Sequence, residues 1–170
     1  MKSIFLVGLG CLLAFGCSQT SSKVKKPVRD NLTGEFVLTT LENGEPSHVT
    51  VQHILIAFDG SLPGEPVPRT EAEAQQLANE LLEKAIAGDD FGELVKSHSD
   101  DEPPGLYMLA NNGQPDNMRS VDRSKWVLPR TNMVSGFGDV SFSLDVGEIG
   151  MAAYSKGSSP YGWHIIKRIK

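Results

Sequence analysis

The sequence predicts an α+β fold, in which helices cover a small and mainly antiparallel sheet. Two observations carry this prediction. Extended runs rich in β-branched residues lie at residues 49–57 and at the C-terminus, and the clearest helical pattern, at residues 69–88, lies between them. With 170 residues, of which 39% are hydrophobic, the chain can bury one ordinary core. The predicted order of elements is strand, helix, helix, strand, helix, strand, strand (βααβαββ), with four strands and no internal repeat.

The N-terminus predicts an export signal. A short basic start precedes the apolar run IFLVGLGCLLAFG, which is too short to span a bilayer comfortably. Residues 1–16 are therefore expected to be a signal peptide. Its end, AFGC, resembles the lipobox of bacterial lipoproteins, which implies that Cys17 is lipidated and anchors the protein to a membrane. The alternative is an ordinary secretory signal in which this cysteine is incidental.

The segment after the signal predicts a tether. Residues 17–33 are polar and lack periodicity, as expected of a flexible linker that holds a domain away from the membrane. The expected location is the bacterial cell envelope.

The linker is basic although the whole chain has a net charge of −5, so the folded part is strongly acidic. Nucleic acid is therefore not an expected partner. Both cysteines, Cys11 and Cys17, lie before the domain, which excludes disulfides, thiolate metal sites and a cysteine nucleophile there.

The first extended runs predict an edge element and a central strand. Residues 34–48, which contain an Asn-Gly turn signal, are expected to add an extra strand and a turn. In the next run the odd-numbered residues from Val49 to Leu55 share one face, and Ile54 and Ile56 share the other. Because both faces carry apolar residues, this run is predicted to be a central strand.

Capping residues then predict two helices. Thr70 and Glu73 form a capping box before an apolar stripe that includes Leu77 and Leu81, and Gly88 ends the first helix. Asp90 is the expected N-cap of a second, shorter helix. It ends before the sequence SDDEPPG.

The second half of the chain contains weaker signals. LYML predicts a brief strand, and residues 110–130 are expected to form a long loop. MVSGFGDVSFSL has helical spacing but contains two glycines, which weaken a helix. Two final strands, EIGMAAY and GWHIIKRI, are joined by SKGSSPY.

Few residues are candidates for chemistry. No zinc-protease, phosphate-loop or nucleophile-elbow motif is present, and the four histidines have no ligand-like spacing, so neither a metal nor a cofactor is expected. What remains is a pair of strand histidines, His53 and His164, each flanked by isoleucine. An isolated histidine in such a setting is more often a hydrogen-bonded core residue than a catalyst, and periodicity alone does not decide between the two.

Four segments together resemble the parvulin family of peptidyl-prolyl cis/trans isomerases. In order they are HILI, the run from TEAEAQQL to SHSDD, MVSGFGDVSFSLDVGEIG and SPYGWHIIKRI. The resemblance covers residues 49–170, with residues 110–130 as an inserted loop. It implies a parvulin-like domain with a four-stranded antiparallel sheet, isomerase activity on X-Pro bonds of exported or unfolded polypeptides, and no cofactor.

The resemblance also implies roles for individual residues. His53 and His164 match the family's paired histidines, Asp101 matches an acid near the prolyl amide, and Ser159 matches a hydroxyl that supports the histidine pair. Met133 and Phe137 match the apolar wall that holds the proline ring, and Leu106 is expected to line the same pocket. Pattern alone allows simpler interpretations: an acid after a helix for Asp101, a turn residue for Ser159, and core packing for Met133 and Phe137.

Two departures from the family pattern bear on function. EPPGLYML stands where the family has Gly-Gly-Asp-Leu-Gly, so Tyr107 replaces a glycine. The loop after the first strand has Arg69 as its only base, which excludes the cationic cluster of phosphate-directed members. Because the Gly-Gly-Asp-Leu-Gly stretch is altered, a parvulin-like chaperone or peptide-binding module that has lost turnover is the alternative function.

Overall fold

A computed structural model describes residues 38–119 and 121–170. The predicted signal peptide, Cys17 and the tether lie outside the described residues, as do residues 34–37 of the expected extra strand. The described part of that region makes a turn closed by an isolated bridge between Thr40 and Pro46. The main strands are β1 (His48–Ile56), β2 (Leu106–Ala110), β3 (Val127–Pro129), β4 (Ile149–Ala152) and β5 (Trp163–Arg168); the α-helices are α1 (Glu71–Ala87), α2 (Phe91–His98) and α3 (Ser135–Ser143).

The described strands form one sheet in the order β3-β2-β1-β5-β4. Strand β1 lies at its centre and pairs antiparallel with both β2 and β5. The apolar residues on both faces of β1 therefore indicated its position correctly, and the α+β class is confirmed.

The prediction of a four-stranded antiparallel sheet was wrong in one respect. The inserted loop contributes a fifth strand, β3, which pairs parallel with β2 through Met108 and Val127, Leu109 and Leu128, and Ala110 and Pro129. The sheet is therefore mixed. A three-residue strand is too short to show alternation, and its proline is tolerated because it lies on an edge strand, where no ladder partner needs its missing N–H.

Helices α1 and α2 begin where their capping residues predict, and α1 ends at its predicted glycine. The hydroxyl of Thr70 accepts a hydrogen bond from Glu73 N, and the Glu73 carboxylate accepts one from Thr70 N. Gly88, at φ 103°, ends α1 in the left-handed conformation that favours glycine. The carboxylate of Asp90 accepts from Glu93 N and caps α2. None of the helices in the described ranges combines the length and apolar character that a membrane crossing needs.

Helices cover both faces of the sheet. Helices α1 and α2 pack on one face against Ile54, Ile56 and Ile165, and α3 packs on the other against Val51 and Ile166. The two glycines of α3 allow close contacts with the segments beside it: a Cβ at Gly136 would lie 3.0 Å from Ser158 O, and one at Gly138 would lie 3.1 Å from Arg130 Cγ. The residues that weaken the helix therefore let it approach its neighbours closely.

Candidate active site

The two strand histidines lie side by side on the face that α3 covers. His53 pairs with Ile166 and His164 pairs with Leu55, so the histidines are diagonal neighbours across the two central strands. Their rings are nearly parallel, at 15°, with centroids 5.6 Å apart, and the two Nδ1 atoms are 3.4 Å apart. Both side chains are buried, with 3% and 5% of their surface exposed. Only the fold could bring residues so distant in sequence into contact.

Asp101 extends this pair into a chain of three groups. Its Oδ2 lies 2.9 Å from His53 Nε2, and its Oδ1 accepts a hydrogen bond of 2.9 Å from Glu102 N. The turn that carries it is held to β1 by Ser99, whose hydroxyl accepts from Leu55 N. The neighbouring acid, Asp100, instead accepts from Ala57 N and Arg69. Of the two acids, only Asp101 therefore faces the histidines.

The protonation states follow from burial and hydrogen bonding. The hydrogen bond with His53, with help from Tyr107 and Glu102 N, lowers the pKa of Asp101 to about 2 despite partial burial. Burial lowers the pKa of His164 to about 3, so this ring is neutral. Because a carboxylate only accepts, His53 Nε2 must carry a proton. In the neutral form of His53, its Nδ1 then accepts from the Nδ1–H of His164, whose buried Nε2 has no hydrogen-bond partner among the residues that the structure describes.

An apolar wall and this polar chain together line a cavity of about 350 Å³. Phe137, from α3, meets both histidine rings edge-on, with centroid distances of 5.1 and 5.4 Å. Met133, Val134 and Leu55 continue the wall. The cavity thus has an apolar side suited to a compact ring and a polar side with one ionised carboxylate.

The structure brings most of the expected site residues to this cavity. His53, Asp101, His164, Met133 and Phe137 all line it. For Met133 and Phe137 the two interpretations are compatible, since both pack against the core cluster under α3 and also face the cavity.

Two expected site residues lie elsewhere. Ser159 is fully buried, and its hydroxyl donates a hydrogen bond to Gly162 O, in the turn before β5, instead of lining the cavity. Leu106 does not line the cavity and is 53% exposed. The reason is strand alternation: Leu106 pairs with Gln52, whereas Tyr107 pairs with Val51 and shares its face with His53.

Six lining residues were missed from the sequence: Leu55, Leu62, Tyr107, Asn132, Val134 and Tyr161. Tyr107 could have been found by alternation, but only once the register of β1 and β2 was known. Leu62 and Tyr161 lie on loops that Ser61 joins, since its hydroxyl donates to Tyr161 O. No periodic signal marks such residues. Within residues 38–119 and 121–170, no cluster of three or more His, Cys, Asp or Glu side chains could hold a metal ion.

Comparison with known proteins agrees with this geometry. The profile of the PPIC-type PPIase domain matches residues 36–169. The chain is 34% identical over 150 residues to Chaperone SurA of Pseudomonas aeruginosa, covering 85% of this chain and 30% of that protein. It is 35% identical over 119 residues to Chaperone SurA of Pseudomonas fluorescens, covering 70% and 22%. The chain thus spans less than a third of the length of these relatives.

A solved structure supports the fold independently. The solution structure of TbPIN1 matches with a TM-score of 0.52 at 18% identity, covering 73% of this chain and 98% of that one. At this identity the likeness concerns the fold alone. Together with the matching profile, it supports one conclusion: the chain belongs to the PPIC-type, or parvulin, family of peptidyl-prolyl isomerase domains.

Proposed function

We propose that this protein is a peptidyl-prolyl cis/trans isomerase that acts on X-Pro bonds of exported or unfolded polypeptides. One observation carries the proposal. The apolar side chains of Phe137 and Met133 line the same cavity as the hydrogen-bonded chain of Asp101, His53 and His164. This is the arrangement needed to hold a proline ring beside a fixed negative charge.

The reaction requires no covalent chemistry from the protein. Rotation about an X-Pro bond has a barrier of roughly 18–20 kcal/mol because twisting destroys amide resonance. An acceleration of about a hundred-thousandfold requires preferential stabilisation of the twisted state by about 7 kcal/mol. No nucleophile and no cofactor are required, since no covalent bond forms or breaks.

The residues of the cavity can supply that preference electrostatically. The apolar wall holds the proline ring while the acyl side of the bond rotates. In the planar amide the carbonyl oxygen is partly anionic, and this charge diminishes as the bond twists. The carboxylate of Asp101 disfavours the planar form more than the twisted one, and the histidines hold that carboxylate in place. His164 is neutral and buried, which suits a structural hydrogen-bond role better than proton transfer.

The charge around the cavity argues against phosphorylated substrates. Its lining contains no lysine or arginine among the described residues. Arg69 is paired with Asp100 and hydrogen-bonds to Ala57 O. A phosphate beside the ionised Asp101 would be repelled, so unmodified X-Pro segments are the proposed substrates.

We propose the cell envelope as the location, with Cys17 as a lipid anchor. The support is the basic and apolar N-terminal segment, the AFGC sequence and the polar linker that follows.

The curated relatives are named as chaperones, which favours an alternative in which the groove binds unfolded chains without turnover. The replacement of the family's glycine by Tyr107 inside the cavity is the feature that favours this alternative.

A peptide isomerisation assay separates the two functions. The purified full-length chain should accelerate X-Pro isomerisation, and Asp101→Ala should lower kcat/KM on the order of a hundredfold because the fixed charge is lost. His164→Ala should lower it less, since that residue acts through His53. The matched controls are Asp89→Ala, which removes an exposed acid, and His98→Ala, which removes a histidine outside the cavity.

One result would contradict the proposed enzyme, and another would contradict the role of Asp101. If the wild-type chain suppresses aggregation of an unfolded client but does not accelerate isomerisation, the chaperone function is correct. If Asp101→Ala and Asp89→Ala retain equal activity, Asp101 has no part in catalysis.

A further inference from the structure

Tyr107 makes a contact that the proposed mechanism does not yet use. Its hydroxyl donates a hydrogen bond of 2.9 Å to Asp101 Oδ2, the same oxygen that faces His53 Nε2 at 2.9 Å. We propose that Tyr107 is a positioning residue for the isomerase, which holds the Asp101 carboxylate in its working orientation through this hydroxyl. The inference rests on the proposed function and adds a residue to it.

The hydrogen bonds on Asp101 define one orientation. Two donors from different strands, His53 on β1 and Tyr107 on β2, converge on Oδ2, and Glu102 N holds Oδ1. His53 and Glu102 N each hold one oxygen of the carboxylate. The Tyr107 hydroxyl is a second donor to Oδ2, which further restricts rotation of the carboxylate about its Cβ–Cγ bond. Hydrogen bonds to an ionised acceptor are the stronger ones.

The backbone places Tyr107 firmly. Strand β2 pairs with β1 so that Tyr107 lies opposite Val51, on the cavity face. Just before β2, Gly105 O accepts a hydrogen bond of 3.0 Å from His53 N. A Cβ at Gly105 would lie 2.5 Å from His53 O, so glycine permits this close approach. The segment from Asp101 to Tyr107 is therefore a short connection held at both ends.

The Tyr107 ring has a separate contact role. It meets the rings of His53 and Phe137 edge-on, at centroid distances of 5.2 and 5.9 Å. The ring therefore belongs to the cavity wall, whereas the hydroxyl belongs to the polar chain. Replacing tyrosine with phenylalanine removes the second role and retains the first.

The electrostatic surroundings keep the hydroxyl a donor. Burial raises the pKa of Tyr107, and the charge of Asp101 raises it further, so the phenol stays protonated at neutral pH. The titratable groups that face Asp101 are His53 on β1, His164 on β5 and Tyr107 on β2, with Glu102 beside it in the chain. Of these, His53 and Tyr107 donate side-chain hydrogen bonds to the carboxylate, and Glu102 donates only through its backbone N–H. Losing the Tyr107 hydroxyl should raise the pKa of Asp101 towards its ordinary value.

The test compares Tyr107→Phe with wild type in kinetics and in the titration of Asp101. We expect kcat to fall about tenfold with KM little changed, because one hydrogen bond to a charged group is lost while the apolar wall stays. The pKa of Asp101, measured from its carboxyl carbon by NMR, should rise. The control is Tyr154→Phe, which removes a hydroxyl from a ring packed against Phe58 and Trp163, outside the cavity.

A second comparison asks whether Tyr107 acts through Asp101. In the Asp101→Ala background, Tyr107→Phe should cause no further loss of kcat, because the group it positions is gone. An equal loss in both backgrounds would overturn the proposal, as would an unchanged kcat and an unchanged Asp101 pKa in the single variant. Because Tyr107→Phe retains the ring contacts, it should unfold at nearly the wild-type midpoint; if the midpoint is lowered, the kinetics and the titration are both measured below it.

These outcomes are distinct from failure of the proposed function. An inactive wild-type chain would reject the isomerase, while the NMR titration would still show whether Tyr107 controls Asp101. An active wild-type chain that is indifferent to Tyr107→Phe would reject only the positioning role.

Discussion

At the scale of residues, the site consists of ionisable groups whose charges are set by their neighbours. The carboxylate of Asp101 is held ionised by hydrogen bonds, and His164 is held neutral by burial. His53 links the two, because its Nε2 faces one and its Nδ1 faces the other. Asp101 therefore carries a negative charge in the cavity, whereas His164 carries none.

These shifts predict how stability depends on pH. The pKa of His164 falls from 6.5 to about 3 on folding, so the unfolded chain binds its proton more readily and stability is lost as pH falls through this interval. The pKa of Asp101 falls from 3.8 to about 2, so its contribution is present above its ordinary pKa and is lost as pH falls through the lower interval.

The check is urea unfolding over a series of pH values. His164→Asn should make the free energy of unfolding less dependent on pH between pH 6.5 and about 3. Asp101→Asn should do the same between pH 3.8 and about 2. His98→Asn is the control, since this histidine lies outside the cavity. A His164→Asn curve parallel to that of wild type would show that the ring is not buried in its neutral form.

At the scale of elements, the site depends on how β1 and β5 are brought together. Gly162 immediately precedes β5, and its φ of 140° lies in a region that favours glycine. A Cβ there would lie 2.1 Å from Ile56 O, at the end of β1. Ser159 stabilises the same turn by donating to Gly162 O. This turn therefore positions the first residues of β5, the strand that carries His164.

Gly162→Ala should disturb the position of the first residues of β5. We expect a loss of stability of about 2 kcal/mol or more, because the close backbone contact must separate and the left-handed φ is strained for alanine. Isomerase activity should fall with it, since His164 lies two residues further on. The control is Gly157→Ala, where an added Cβ would meet no atom within 4 Å. Equal unfolding midpoints for the two variants would contradict this explanation of the glycine.

At the scale of the whole molecule, the described domain has one sheet with helices on both faces. The polar chain lies on the face covered by α3, and the larger helical layer of α1 and α2 supports the opposite face. The N-terminal turn is joined to the rest through Glu45, which accepts hydrogen bonds from Arg130 and Asn111. These hydrogen bonds therefore hold the turn before β1 against the rest of the described domain.

Membrane attachment is testable on the full chain. Cys17→Ser should release the protein from the membrane fraction, because the proposed acyl chains would have no attachment point. The matched control is Cys11→Ser, which removes the other cysteine of the chain from within the apolar run. Retention of the Cys17→Ser protein in the membrane fraction would exclude the lipid anchor.

Much of the fold could be predicted because its signals are local. The capping box at Thr70, the glycine at residue 88 and the two apolar faces of β1 depend on neighbouring residues, and the structure shows each of them. Strand β3 was missed because its partner determines it: three residues have no pattern of their own until they meet β2. The site could be located only through resemblance, because periodicity could not distinguish a core histidine from a working one.

The sequence by itself determined the fold class, the first two helices with their ends, the central position of β1 and the acidic character of the domain. Tertiary structure decided that His53 and His164 meet at 3.4 Å, that Asp101 and not Asp100 faces them, and that Tyr107 takes the place expected for Leu106 in the cavity. The physical reason is range. Capping and alternation act over a few residues, whereas register and burial arise only when distant strands pair and remove their side chains from water.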